Sequence, residues 1–341
     1  MRKIKTSMHF SAALLAAMVV QGSVSTASAD TAVTVRMDTF FYGAHVPFML
    51  GIVDGIYKKH GLVVTAAPGR GSANTIQTVT AGSDQFGFAD GGTLVKFAAQ
   101  GLKAKQIVGM IQTTPSIIMM MPESGLKSSK DLVGKTGAFG IGSAPEQVFG
   151  AFAKGTGLDP NAVKRVNVDL PTRDNLFIQK QVDFAFGYAV TQLPLLEEKC
   201  SCKLNVLSYA DAGITSVANG IMVGDDYAAK NPEIVRSFAQ ATVEAIEAAM
   251  KNPQRGLDAF FEYAKDTKLS KRVVAAQWDE TVKRLHTEAT KGKPYGYTAP
   301  SDWQKTIDVL VEYADLPKGA VTPADVATNK YLVGATTDTN K

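Results

Sequence analysis

The chain has 341 residues, 45% hydrophobic and 20% charged, with a mean hydropathy of −0.01. These values exclude a disordered chain, a collagen-like repeat and a multi-span membrane protein, and the length suggests two domains or lobes at about 100–200 residues each. Lys and Arg number 36 against 32 Asp and Glu, a net charge of +4 that is too small to suggest a nucleic-acid partner.

The first 29 residues read as a signal peptide. Arg2, Lys3 and Lys5 form a basic start, Phe10 to Val20 an apolar core, and Ala27-Ser28-Ala29 a cleavage site before Asp30. The apolar run is too short to cross about 30 Å of hydrocarbon, and Gln21, Gly22 and Ser23 interrupt it. Removing this leader lowers the net charge to +1. No cysteine directly follows the apolar run, so no lipid anchor is expected, and the pattern suits a Gram-negative periplasm.

After Asp30, strand-like and helix-like runs alternate. Residues 32–36 (AVTVR) read as a strand, 47–60 as a helix with Pro47 in its first turn and Gly61 as its stop, and 62–67 as a second strand. A short helix over 73–81, a strand over 86–89, a helix to Gln100 and a strand over 107–111 follow. This βαβαβαβ order predicts a parallel sheet covered on both faces.

A second unit repeats the order. Strands are expected at 117–121, 135–139, 166–168, 182–186 and 204–207, with helices running to about Lys154, over 173–180 and over 194–199. Residues 219–223 look like a return strand. From Pro232 the chain reads as almost all helical, over 232–251, 253–264, 271–286 and 300–314. The expected fold is α/β, with two lobes that are each a mainly parallel sheet flanked by helices. Lobe 1 takes residues 30–114, lobe 2 takes 115–218, and 219–341 return to lobe 1 and add the helical tail. Two crossings, near Thr113–Ser116 and Val217–Ile221, make a hinge with a ligand cleft beside it.

The only cysteines are Cys200 and Cys202. Export exposes them to oxidising conditions, so a local bridge is open to them, although the CxC loop is tight. A metal or redox pair fits poorly, because the mature chain offers only His45, His60 and His286, without HxxxH or HExxH spacing. Neither a metal nor a cofactor is expected.

Ligands of open α/β sheets bind beyond the carboxyl ends of the strands. The loop Asp38-Thr39-Phe40-Phe41-Tyr42-Gly43-Ala44-His45 follows the first strand, and its three aromatics can stack on a planar ligand or pack beneath the loop. Gly69-Arg70-Gly71-Ser72-Ala73 follows the second strand. Either Ser72 caps an ordinary turn or the free N–H groups there meet an anion or carbonyl. Asp90-Gly91-Gly92-Thr93 repeats the arrangement, with Asp90 placed to accept a ligand N–H. Gly140-Ile141-Gly142-Ser143-Ala144-Pro145-Glu146 is its counterpart in the second unit. It contains GxG but not GxGxxG, so a dinucleotide is poorly supported. No GxSxG, nucleophilic cysteine setting or His–carboxylate cluster is visible, so no catalytic residue is expected.

His45-Val46-Pro47-Phe48-Met49-Leu50, followed by Gly55-Ile56-Tyr57-Lys58-Lys59-His60-Gly61-Leu62-Val63-Val64, resembles the opening of one family. This is the periplasmic solute-binding proteins of the nitrate/sulfonate/taurine and thiamine-pyrimidine group of ABC importers. Its helix ends in G-(F/Y)-(F/Y)-x-x-x-G-L-x-V, from which Ile56 departs. Residues 81–90 (AGSDQFGFAD), 126–135 (LKSSKDLVGK), 181–186 (QVDFAF) and 230–238 (KNPEIVRSF) are similar to further family segments in the same order. Asp38 and His45 match the pyrimidine branch, where Thr39 replaces a tryptophan. Gly187-Tyr188 stands where many members carry Trp, and the cysteine cluster of the eukaryotic pyrimidine synthases is absent.

The resemblance implies a two-lobe binding protein, monomeric and periplasmic, that passes a small solute to a membrane permease with its ATPase. Its expected ligand contacts are Asp38, Phe40, Phe41, Tyr42, His45, Ser72, Asp90, Thr93, Ser143, Glu146 and Tyr188. The loop aromatics and Tyr188 favour a planar or anionic organic solute: a pyrimidine precursor of thiamine, a sulfonate or an aromatic carboxylate. The alternatives are a periplasmic sensory protein and a pyrimidine-precursor synthase, the latter resting on His45.

Overall fold

The computed structural model describes residues 30–141 and 143–333, so the leader and Gly142 lie outside the described residues. Ten strands form two five-stranded sheets. The first holds β1 (Thr31–Arg36), β2 (Leu62–Ala67), β3 (Phe86–Asp90), β4 (Ala104–Gly109) and β10 (Asn219–Gly224). The second holds β5 (Ser116–Met120), β6 (Thr136–Gly140), β7 (Lys164–Val168), β8 (Phe184–Tyr188) and β9 (Asn205–Ser208).

The strand orders are β2-β1-β3-β10-β4 and β7-β6-β8-β5-β9. In each sheet the fourth strand runs antiparallel to both neighbours while the others are parallel. The two sheets are therefore equivalent, with β10 and β5 in matching places. Both strands follow a passage from one sheet to the other. The first sheet is mainly parallel, as expected, and its one antiparallel strand is the return strand β10, which comes back 110 residues after β4 and inserts between β3 and β4. Asn219 then pairs with Asp90 and Ile221 with both Phe88 and Val108.

Local chemistry explains the other differences. The helix expected over 47–60 is split into Val46–Val53 and Ile56–Lys59, because Gly55 takes φ of +70° between them. The helix expected over 271–286 stops at Val282. Helices Pro232–Lys251 and Pro253–Tyr263 begin on proline, whose missing N–H costs nothing at that position.

The first sheet packs on a core that includes Phe48, Phe86, Phe88, Phe238 and Trp278. The second has Phe139, Phe149, Phe152, Phe184 and Phe186 on one side and Ile117, Phe177 and Leu196 on the other. Cys200 and Cys202 are joined by a disulfide with their Cα atoms 5.2 Å apart, beside that last cluster. Among the described residues no helix is long and apolar enough to cross a membrane.

Candidate functional site

The carboxyl end of β1 delivers Asp38 into a buried polar network. Its Oδ1 lies 3.1 Å from His45 Nε2, and its Oδ2 accepts from Tyr42 Oη at 3.2 Å and Asn219 Nδ2 at 2.8 Å. His45 Nδ1 accepts the Tyr42 amide N–H at 3.3 Å, which assigns the ring proton to Nε2 and makes it the donor to Asp38. The ring is fully buried, edge-on to Phe88 at 5.2 Å. His45 is thus a satisfied core histidine that holds the loop. Its side chain makes no cap bond to the helix Val46–Val53. Burial, and then the adjoining Asp38 carboxylate, hold the Tyr42 phenol well above its usual range.

The three loop aromatics separate. Phe40 is 45% exposed and Tyr42 is 1% exposed. Phe41 is half-buried, edge-on to Tyr263 at 6.0 Å. Of the three, only Phe40 is exposed. Sequence could not separate the three, because none of them lies in a periodic element.

The loop after β2 approaches β1 closely: a Cβ on Gly69 would lie 1.8 Å from the Met37 carbonyl oxygen. Ser72 is not the cap of the next helix. Gly71 occupies that place with φ of +108°, and Ser72 Oγ accepts the Asp90 amide N–H at 3.0 Å. Asp90 caps its own helix through Oδ1, which accepts from Thr93 N at 2.7 Å and Thr93 Oγ1 at 2.8 Å. Its Oδ2 has no hydrogen bond among the described residues. Burial raises the Asp90 pKa, and the Thr93 bonds oppose that rise.

In the second lobe, Ser143 Oγ is buried and has no partner among the described residues. Glu146 stands 3.8 Å from Arg165, whose guanidinium lies over the Phe139 ring at 4.0 Å. Tyr188 ends β8 and gives its amide N–H to Gln192 Oε1 at 3.0 Å. Burial, then the charges of Asp90 and Asp38, push its phenol up, while Arg173 pulls it down. Tyr188 belongs to the second sheet yet packs against the core of the first, so the carboxyl edges of the two sheets meet there.

Sequence reading missed Arg173, Asn219 and Gln277. Arg173 is 1% exposed in the first turn of helix Leu170–Ile178 and donates Nε and Nη2 to Asp174 Oδ1 at 2.9 and 2.7 Å. Gln277, fully buried, accepts the Gly43 N–H at 2.9 Å and donates to the Thr191 carbonyl at 2.9 Å.

The sheets are in contact through these edges. Tyr188 and Val190 pack with the first core. At the rim, Glu198 accepts from Ser270 Oγ at 2.7 Å and Arg272 at 2.9 Å, and Lys154 meets Glu312 at 2.5 Å. A cavity of about 30 Å³ lies between the units, bounded by Asp90, Thr93, Ser116, Val148 and Val309. That is room for about one water. A larger pocket of about 440 Å³ lies between helices Gln192–Cys200 and Lys271–Val282, lined by Glu197, Lys203, Arg272 and Glu280 among others.

Among the described residues no group of three or more His, Cys, Asp or Glu is placed to hold a metal. Asp38 and His45 spend their hydrogen bonds on the protein. Asp90 Oδ2, Ser143 Oγ and Tyr188 Oη keep capacity to bond a solute.

A family model described as NMT1/THI5 like matches residues 43–256, more than half of the chain. The chain is 26% identical over 254 residues to the riboflavin-binding protein RibY of Chloroflexus aurantiacus, covering 73% of this chain and 70% of that one. It is 21% identical to a 4-amino-5-hydroxymethyl-2-methylpyrimidine phosphate synthase of Legionella pneumophila, covering 68% and 73%. The alkanesulfonate-binding protein SsuA of Xanthomonas axonopodis pv. citri, solved with MOPS bound, superposes with a TM-score of 0.66 at 16% identity, covering 89% and 99%. That likeness identifies the two-lobe periplasmic-binding-protein fold.

Proposed function

The chain belongs to the NMT1/THI5-like family, and from that premise we propose that it is the periplasmic solute-binding component of an ABC importer. It is exported as a monomer, loses residues 1–29, closes its lobes on a small organic solute and hands it to a permease with its ATPase. Lobe 1 comprises 30–114 and 219–341, lobe 2 comprises 115–218, and closure uses the two crossings between the sheets. Contacts from both lobes favour the closed form, which is the form a permease would recognise.

The observation that carries this reading is the meeting of the two carboxyl edges: Tyr188 at the end of β8 and Val190 just beyond it pack with the core of the first sheet, and Gln277 ties the turn after β8 to the loop after β1. The solute is planar or anionic: a pyrimidine precursor, a sulfonate or an aromatic carboxylate. A relative named as binding riboflavin and a neighbour solved with a sulfonate buffer support that range. Phe40, Asp90, Thr93, Ser143 and Tyr188 are the contacting residues, with Glu146 at the edge and Ser72 behind Asp90.

One relative is named as a synthase. A synthase role for His45 is disfavoured because both ring nitrogens are engaged within the protein and the side chain is fully buried. A thermal-shift screen of pyrimidines, sulfonates, aromatic carboxylates and nitrate tests the assignment, since a native-state ligand raises Tm. A rise with one class supports capture. No rise with any class contradicts it.

A further inference from the structure

We propose that Arg173 is the specificity-determining residue of the cleft and reads a carboxylate or sulfonate at one end of the solute, whose other end donates a hydrogen bond to Asp90. This rests on the solute-capture reading above and names the substrate class for the same site.

A guanidinium that is 1% exposed needs a reason, because burying a charge is costly unless it is paired and bonded. Asp174 supplies part of it. Nε and Nη2 converge on the single oxygen Oδ1, so only one edge of the guanidinium is used. Nη1, on the far side, has no hydrogen bond among the described residues. Arginine carries five donors in a fixed fork that suits the two oxygens of an oxyanion.

The surroundings give the fork a direction. The helix Leu170–Ile178 starts two residues after β7, at the carboxyl edge that also carries Ser143 and Tyr188. Ser143 Oγ is buried and unpartnered, and the Tyr188 hydroxyl makes no hydrogen bond among the described residues. Both carry a hydroxyl donor at the sheet edge where the helix bearing Arg173 begins.

The opposite wall is acidic. Asp38 is already spent on His45, Tyr42 and Asn219, which leaves Asp90 Oδ2 as the acceptor. An anion filling the whole cleft would face these carboxylates. A dipolar planar solute, with an N–H or O–H donor toward Asp90 and an oxyanion toward Arg173, satisfies both walls.

The test uses three matched probes, 4-aminobenzoate, 4-aminobenzenesulfonate and the neutral 4-aminobenzamide, titrated calorimetrically into the mature protein and into Arg173→Gln and Arg173→Lys. The expected result is preference for one or both acids over the amide. Carboxylate and sulfonate are separated by which acid binds more tightly. Arg173→Gln should lose roughly 10- to 100-fold on the acids, the loss of one charge-assisted pair, and little on the amide. Arg173→Lys keeps the charge without the fork and should lose about tenfold. If Arg173→Gln fails to fold, the lysine variant decides. Equal affinity of the acids for wild type and Arg173→Lys overturns the proposal. Preference for the amide by wild type also overturns it while leaving solute capture intact. If no probe binds while the wider screen raises Tm, the proposal is overturned and capture stands; if the screen raises no Tm either, the capture reading itself fails.

Discussion

Gln277 donates its side-chain amide to the Thr191 carbonyl at 2.9 Å, and its Oε1 accepts the Gly43 N–H at the same distance. One fully buried side chain thus ties the loop after β1 to the turn after β8. The amide orientation is fixed, because one partner can only donate and the other only accept.

Replacing Gln277 by alanine leaves a buried N–H and a buried carbonyl unpaired, at a cost of about 1–3 kcal/mol to this contact between the two sheets. The variant should be more extended in small-angle scattering without ligand and should bind more weakly. An unchanged radius of gyration and unchanged affinity would show that the link does not govern closure.

His45→Ala should act on stability. It opens a cavity against Phe88 and Phe48 and frees one oxygen of Asp38, together worth about 2–4 kcal/mol. Urea unfolding measures this. A wild-type midpoint would mean that the ring is not part of the core.

Phe40 and Phe41 should part company on mutation. Phe40→Ala should weaken binding of a planar solute by about 1–3 kcal/mol, the range for a lost stacking face, and leave stability within about 0.5 kcal/mol. Phe41→Ala loses the Tyr263 contact and should lower Tm. Wild-type affinity in Phe40→Ala would assign the exposed ring no part in capture.

Asp90 sets a pH dependence with a definite sign. Burial raises its folded-state pKa above the ordinary 3.8, so its stabilising contribution is present below that value and is lost as pH rises through the folded pKa. Asp90→Asn, which keeps an N-cap oxygen, should therefore gain stability relative to wild type near neutral pH, and the gain should shrink on acidification. Denaturant unfolding at about pH 4 and about pH 7 reads the difference. A gain that grows toward acid would reverse the assignment.

Much of this architecture was legible because its signals are local. Proline starts brought the expected helix over 232–251 to its observed bounds, and alternation did the same for β2. The position of β10 was not legible, since pairing with β3 and β4 depends on contacts more than a hundred residues apart. The site divides similarly. Asp90 could be read from its place after a strand. Arg173 and Gln277 look like ordinary polar residues of amphipathic helices, and only tertiary packing shows them buried. His45 matched a family motif, yet its surroundings make it a core residue.

Solute capture without chemistry is tested most directly by the fate of the ligand. The mature protein would be saturated with a solute that raises its Tm, held overnight, denatured, and the released ligand compared with the input by mass and absorbance spectrum. A chain whose one His–Asp pair among the described residues is committed to its own core should return the ligand unchanged. A new mass, or turnover abolished by His45→Ala, would contradict capture and point to an enzyme.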